Sequence, residues 1–263
     1  MNTFGTSCKW LIGRQPNPKA QLRLFCFPYA GASAYREWEP AFPSSVQLCR
    51  IQLPGREERL RDRPFTNFSE VTRALVRDLA DWLDTPFMVF GHSMGALLAF
   101  EFARELRRVG GPRPEHLFLS GRQAPHLKSR IPQLHDLPEA EFKRQLGLLN
   151  GTPKKVLEDP ELMGLLMPML RADFSICETY SCTPEEPLSL PISAFGGEMD
   201  PHTRRDDLDA WRNYTLGNFN VRMFSGDHFY IQSMRSSLLS AILEVTSVHI
   251  FHTARLSILQ RNS

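Results

Sequence analysis

No apolar run in the sequence approaches the roughly 18 residues that a membrane-spanning helix requires, so no membrane span is predicted. The N-terminus has no charged segment followed by an apolar stretch, and we therefore expect no signal peptide. Because neither Cys-x-x-Cys nor His-Glu-x-x-His occurs, we predict no metal site and no cofactor. The net charge is only +2, which gives no electrostatic case for nucleic-acid binding.

Cysteines are few, odd in number and irregularly spaced: there are five. Cys26 and Cys49 fall inside predicted strands, where cysteine behaves as a small core residue. A reducing, cytoplasmic setting is the expectation. The 263 residues are 42% hydrophobic, which is ordinary composition for one large core. We expect a single domain over residues 1–263, with loose extensions at 1–21 and 247–263.

The most informative stretch is Gly-His-Ser-Met-Gly at residues 91–95, a Gly-x-Ser-x-Gly motif. An apolar run precedes it at 86–90, and apolar residues at helical spacing follow it at 96–109. Strand, sharp turn and helix form the context in which this motif presents a nucleophilic serine. Glycine is expected at both flanks, because side chains there would crowd the neighbouring helix and strand. Ser93 is therefore the candidate nucleophile.

Strand and helix patterns alternate along most of the chain. The predicted strands cover residues 22–27, 47–53, 86–90, 116–120, 190–195 and 221–224. A helix with Ser69 as its N-cap carries apolar residues at every fourth position, and the helix after Ser93 ends before Gly110. This alternation predicts an α/β fold with a mostly parallel central sheet flanked by helices.

Two segments interrupt the alternation. Residues 123–186 show no strand pattern but contain helical patterns at 138–147 and 160–170, which indicates a helical lid insertion. The second helix is apolar nearly all round, so it is either buried in the core or lies over an apolar substrate. The charged segment at 56–63 is interpreted as a solvated loop of mixed sign.

A serine nucleophile needs a base, and the base needs an orienting acid. Asp200 and His228 each follow a predicted strand, and ligands of open α/β sheets bind at the carboxyl ends of strands. The order Ser93, Asp200, His228 is the order expected for the α/β-hydrolase fold. Asp173 and Asp227 are the rival candidates for the acid.

The oxyanion formed during such a reaction needs two backbone donors. One is the amide of Met94, at the positive end of the helix after the nucleophile. The second is expected from the loop after the first strand, where Tyr29 and Ala30 are the candidates and Ala30 is preferred.

Five short segments, taken in order, resemble the type II thioesterases, stand-alone α/β-hydrolases that serve nonribosomal peptide and polyketide synthases. The segments are Phe-Pro-Tyr-Ala-Gly at 27–31, Leu-Pro-Gly-Arg-Glu at 53–57, Phe-Gly-His-Ser-Met-Gly at 90–95, Leu-Arg-Ala-Asp-Phe at 170–174 and Gly-Asp-His-Phe-Tyr at 226–230. The resemblance covers roughly residues 20–245. It implies that Ser93 is the nucleophile, that His228 is the base and that Asp200 is the acid, with Asp173 as an alternative acid.

The resemblance also implies a reaction and a partner. The expected reaction is hydrolysis of aberrant or stalled acyl groups on the phosphopantetheine arm of acyl- or peptidyl-carrier proteins, in antibiotic or siderophore biosynthesis. We expect a monomer with no nucleic-acid or membrane partner. A small-molecule carboxylesterase or lipase and an acyltransferase with the same triad are the alternatives. A non-catalytic binding protein of the same fold is disfavoured, because serine, aspartate and histidine are all present.

Carrier proteins are acidic as a rule, so a basic rim would attract them. Four arginines cluster near the end of the helix after Ser93 and are interpreted either as a solubilising surface or as such a rim. They are Arg104, Arg107, Arg108 and Arg113.

Overall fold

The computed structural model describes residues 8–12, 15–31 and 35–261, with side chains described as far as residue 253. Six strands pair in parallel in the order β2-β1-β3-β4-β5-β6. They are β1 (Leu22–Phe27), β2 (Val46–Arg50), β3 (Phe87–His92), β4 (Leu117–Ser120), β5 (Ile192–Gly197) and β6 (Phe219–Phe224). The predicted α/β fold with a parallel central sheet is confirmed.

Helices cover both faces of this sheet, and the described part of the chain contains eight α-helices. They are α1 (Phe68–Asp78), α2 (Met94–Arg108), α3 (Glu139–Leu149), α4 (Lys154–Leu157), α5 (Pro160–Glu178), α6 (Arg205–Asp209), α7 (Tyr230–Ser233) and α8 (Arg235–Arg261).

The two faces of the sheet build separate apolar clusters, because successive side chains of a strand point to opposite sides. Phe25 of β1 joins the cluster that contains residues of α1 and α2. Its neighbour Leu24 joins the opposite cluster, which contains Leu238 and Ile242 of α8. All six residues of β1 are buried, as expected for a central parallel strand.

Between β4 and β5, residues 123–186 contain helices α3, α4 and α5 and no strand. This region has an apolar cluster of its own, which includes Phe142, Met163 and Leu170. Helix α5 is buried in part only: Met163 is fully buried, whereas Leu165 is 52% exposed.

Two differences between the predicted and observed helix boundaries involve polar side chains. The N-cap of α1 is Asn67, whose Oδ1 accepts from the amides of Ser69 and Glu70, so the prediction of Ser69 as the cap is wrong. Helix α5 continues eight residues beyond 170, through Arg171-Ala172-Asp173. The polar residues there are satisfied inside the fold, since Arg171 donates to the carbonyls of His135 and Leu137.

Neither terminal segment is loose where the structure describes it. Trp10 is 1% exposed, and its indole nitrogen donates to Asp78 at 2.8 Å. Residues 247–261, expected from sequence to be a loose extension, belong instead to α8. The sequence from Arg235 onward has no glycine or proline, so nothing in the backbone interrupts the helix. Within the residues described, no helix has the length and apolar character needed to cross a membrane.

The interpretation of residues 56–63 as a solvated loop is wrong for two arginines. Arg56 and Arg59 are only 4% and 8% exposed. Arg59 bonds Asp62 and lies over the ring of Trp10. Three of the four arginines near the end of α2 are likewise engaged by acidic partners: Arg104, for example, bonds Glu101 and Glu185. Arg113 instead donates to the carbonyl of Ser189.

Candidate active site

Ser93 lies at the turn between β3 and α2, where the backbone adopts φ 54° and ψ −113°. This is an uncommon conformation for a residue other than glycine. Its amide donates to the carbonyl of Ser120 on β4, 2.8 Å away, which anchors the turn to the sheet. A Cβ at Gly91 would overlap the backbone carbonyl of Gly95, and a Cβ at Gly95 would overlap the carbonyl of Phe27. Both glycines are therefore required by close backbone approach.

His228 and Asp200 are in direct contact. Nδ1 of His228 lies 2.6 Å from Oδ2 of Asp200, and the carboxylate is fully buried. The other carboxylate oxygen accepts from the amides of His202 and Thr203, which fixes its orientation. This arrangement leaves Nε2 of His228 as the ring nitrogen that is not turned toward the acid.

Ser93 and His228 line one cavity of about 570 Å³. Among the described hydrogen bonds, none joins the side chains of Ser93 and His228. The two residues are related only by bordering the same cavity. Catalytic hydrogen bonds are often long before substrate binds. Met94 and Ala30 line the same cavity, as do Leu146 of α3 and Phe174 of α5. The space therefore lies between the carboxyl end of the sheet and the helical insertion.

The two rival acids lie elsewhere. Oδ2 of Asp173 accepts from the amide of Gly31 at 2.8 Å, and its Oδ1 accepts from Arg56 at 2.7 Å. Asp227 accepts from the amide of Phe229, two residues along the chain. Of the three aspartates considered, only Asp200 contacts His228 among the described hydrogen bonds.

The residues whose backbone amides are predicted to bind an oxyanion, Met94 and Ala30, both border the cavity. Met94 is the first residue of α2, so its amide has no acceptor within the helix. In the loop after β1 the Gly31 amide is engaged by Asp173. Tyr29 and Ala30 both border the cavity and remain the two candidates from that loop.

A chain of buried polar side chains beside His228 was not predicted from sequence. His92 is fully buried, and its Nδ1 lies 2.9 Å from the hydroxyl of Ser120, which bonds the hydroxyl of Tyr230 at 2.6 Å. The His92 ring lies 4.9 Å from the ring of His228. Burial, and then the nearby His228, lower the pKa of His92 well below its usual value. His92 is therefore neutral. In the sequence, only its position inside the Gly-x-Ser-x-Gly motif indicated that it lies near the site.

Cys177 also lines the cavity but is unsuited to act as a nucleophile. Burial raises the pKa of the Cys177 thiol to about 11, so this cavity residue stays protonated at neutral pH. In the part of the chain that the structure describes, no group of three or more His, Cys, Asp or Glu side chains could hold a metal ion.

The thioesterase domain family matches residues 22–246, which is most of the chain. The chain belongs to the thioesterase family. The resemblance inferred from five short segments is thereby confirmed, as is the prediction of an acyl thioesterase of the serine-hydrolase class. The predicted α/β-hydrolase fold is likewise confirmed.

Named relatives are similar over nearly their whole length. The gramicidin S biosynthesis protein GrsT of Aneurinibacillus migulanus is 43% identical over 88% of this chain and 91% of its own. The prodiginine-pathway thioesterase RedJ of Streptomyces coelicolor superposes with a TM-score of 0.80 at 38% identity, covering 86% of each chain. The type II thioesterase BorB from the borrelidin cluster superposes with a TM-score of 0.78 at 35% identity, covering 86% of this chain and 93% of its own.

Proposed function

We propose that this thioesterase releases aberrant or stalled acyl groups from the phosphopantetheine arm of carrier proteins in nonribosomal peptide or polyketide biosynthesis. Support comes from GrsT, named for gramicidin S biosynthesis, and from RedJ and BorB, both named for biosynthetic pathways. The lining of the cavity fits an acyl chain: the proposed nucleophile Ser93 borders it, and so do apolar residues of the helical insertion.

In the first step Nε2 of His228 takes the proton of the Ser93 hydroxyl, and the oxygen attacks the thioester carbonyl. Asp200 keeps the proton on Nδ1 of the ring and stabilises the imidazolium. The amides of Met94 and Ala30 hold the oxyanion. Nε2 of the His228 imidazolium then gives its proton to the sulfur as the carbon–sulfur bond breaks. The pantetheine thiol leaves, and the acyl group stays bound to the Ser93 oxygen.

In the second step His228 removes a proton from water, which attacks the acyl-serine ester. The same backbone amides hold the second oxyanion. Collapse of this intermediate returns the proton from His228 to the Ser93 oxygen and releases the free acid.

One observation carries the proposal. The 2.6 Å contact between His228 and Asp200 is adjacent to the cavity that Ser93 also borders, with Ser93 in an uncommon backbone conformation. A buried carboxylate that orients a histidine, in a cavity shared with a serine at a strained turn, is the arrangement that general-base activation of that serine requires. Neither Asp173 nor Asp227 offers an equivalent arrangement.

The test compares kcat/KM for an acyl-carrier thioester with that for a p-nitrophenyl ester of the same acyl group. We expect the carrier thioester to be preferred and the free acid to be the product. S93A is expected to lower kcat by several orders of magnitude, by analogy with other serine hydrolases. A preference for the simple ester would favour a carboxylesterase, and acyl transfer to an alcohol or amine would favour an acyltransferase. Near-normal hydrolysis by S93A would remove Ser93 as the nucleophile.

The proposal includes a carrier protein as the only macromolecular partner, a monomeric state and a cytoplasmic location. Sedimentation of the pure protein tests the monomer, and fractionation of the native cells tests the location. Co-elution with a phosphopantetheinylated carrier, but with neither nucleic acid nor lipid vesicles, tests the partner.

A further inference from the structure

Asp173 joins three segments that are far apart in the sequence. From its place in α5 it accepts the Gly31 amide of the loop after β1 and the guanidinium of Arg56, which follows β2. The side chains of Asp173 and Arg56 are only 2% and 4% exposed. The carboxylate is therefore a buried clamp between the helical insertion and the loop that carries Ala30.

The clamp acts on the peptide unit that connects Ala30 and Gly31. A peptide unit is planar, so fixing the Gly31 N–H also fixes the carbonyl of Ala30 and restricts the Ala30 backbone. Gly31 has φ +75°, a left-handed conformation that glycine adopts at little cost. Without an acceptor for its amide, this loop would have other conformations available.

Helix α5 reinforces the same position by packing. A Cβ at Gly31 would come within 2.8 Å of Cδ2 of Leu170, so the helix lies directly on this residue. Leu170 and Phe174 border the cavity, while Asp173 between them turns toward Gly31 and Arg56. One helix thus contacts both the acyl cavity and the loop with the proposed oxyanion donor.

We propose that Asp173 is a positioning residue: its hydrogen bond to Gly31 holds the loop after β1 in the conformation that aims the Ala30 amide at the oxyanion. This inference rests on the proposed mechanism. The alternative is that Asp173 and Arg56 form an ion pair whose only role is stability. That role would not require charged residues, because apolar residues can often replace a buried ion pair without loss of stability. An apolar residue at position 173 could not accept the hydrogen bond from the Gly31 amide.

Two double variants separate the hydrogen bond from the ion pair. R56M/D173L removes both charges and leaves Gly31 without an acceptor. R56M/D173N removes both charges but keeps a side-chain oxygen where Oδ2 lies. Both are compared with the wild type for melting temperature, kcat and KM on a simple acyl thioester, so that the result does not depend on which carrier is cognate.

We expect R56M/D173L to lose about 100-fold in kcat with little change in KM, comparable to the loss of one oxyanion donor. R56M/D173N is expected to recover most of that loss at a similar melting temperature. Equal kcat for two folded double variants would overturn the inference. If the leucine variant does not fold, an asparagine variant that folds but has lost kcat 100-fold would also overturn it. A wild-type protein that hydrolyses no acyl thioester would instead remove the proposed function, and this inference with it.

Discussion

Nδ1 of His228 lies 2.6 Å from Oδ2 of Asp200, although the two residues are 28 positions apart. Their contact follows from topology, because Asp200 comes after β5 and His228 after β6, and these strands are neighbours in the sheet. Parallel strands bring such loops to the same edge. The carboxylate also accepts two backbone amides, so it cannot turn away from the ring without losing them.

We expect D200N to lower kcat by about 10⁴-fold, because an amide at this position favours the wrong tautomer of the histidine. Steady-state hydrolysis of an acyl thioester measures the effect. D227N is the matched control: the Asp227 side chain accepts only from the Phe229 amide among the described hydrogen bonds, and its variant should stay close to wild type. A larger loss in D227N than in D200N would reverse the assignment of the acid.

The arginines at the end of α2 are predicted to contribute to stability in proportion to their burial. The Arg104 side chain is 3% exposed and bonds Glu101 and Glu185, whereas that of Arg107 is 35% exposed. R104M should lose about 3 kcal/mol in the free energy of unfolding, because carboxylates are left buried without this partner. R107M should lose about 1 kcal/mol or less. Urea denaturation gives both values, and equal losses would contradict this account.

The glycines of the nucleophile turn should tolerate no side chain. In G91A the new methyl group would overlap the backbone carbonyl of Gly95, which cannot move without opening the turn. We expect a loss of more than about 3 kcal/mol, or no folded protein. Gly164 in α5 is the control, because a Cβ there meets nothing within 4 Å. G164A should gain about 0.5–1 kcal/mol by favouring the helix. Thermal unfolding distinguishes the two.

Stability should fall as the pH drops from about 6.5 to about 4, partly because of His116. Burial lowers the pKa of His116 to about 4 from an ordinary value of 6.5, so the unfolded chain binds a proton that the folded chain does not. The contribution is fully present above pH 6.5 and is lost through this window, up to about 3 kcal/mol. Urea denaturation at several pH values should show a flatter dependence for H116Q.

The control for that series is H252Q, at an exposed position of α8. It should reproduce the wild-type pH dependence. If H116Q also reproduces it, the protonation of His116 is not linked to unfolding. The neutral His116 ring bonds the Ser193 hydroxyl at 2.8 Å, and glutamine retains a donor and an acceptor for this contact.

Local patterns made much of the site predictable. The turn at 91–95 combines a short motif with a flanking strand and helix. About 20 residues of sequence were therefore enough to predict that Ser93 and Met94 lie at the end of a strand and the start of a helix. Asp200 and His228 followed from strand endings, because parallel topology brings those endings together. The contacts of Asp173 could not be predicted, since its partners Arg56 and Gly31 are 117 and 142 residues away and no local pattern pairs them.

The errors have similar physical causes. Ser69 and Asn67 are both good N-caps, and only the geometry of the Asn67 side chain distinguishes them. The charge of Arg56 indicated a position in a solvated loop, yet its side chain is only 4% exposed. Sequence patterns report the polarity of a side chain, whereas its burial depends on partners that the fold supplies.

The central claim is that Ser93 is a nucleophile activated by His228. The most direct measurement is the rate and position of labelling by a fluorophosphonate, with the modified peptide identified by mass spectrometry. We predict a single adduct on Ser93, no adduct in S93A and a labelling rate at least 100-fold lower in H228Q, since general-base assistance contributes about 10²–10⁴-fold. An adduct on another residue, or equal labelling rates in wild type and H228Q, would contradict the account.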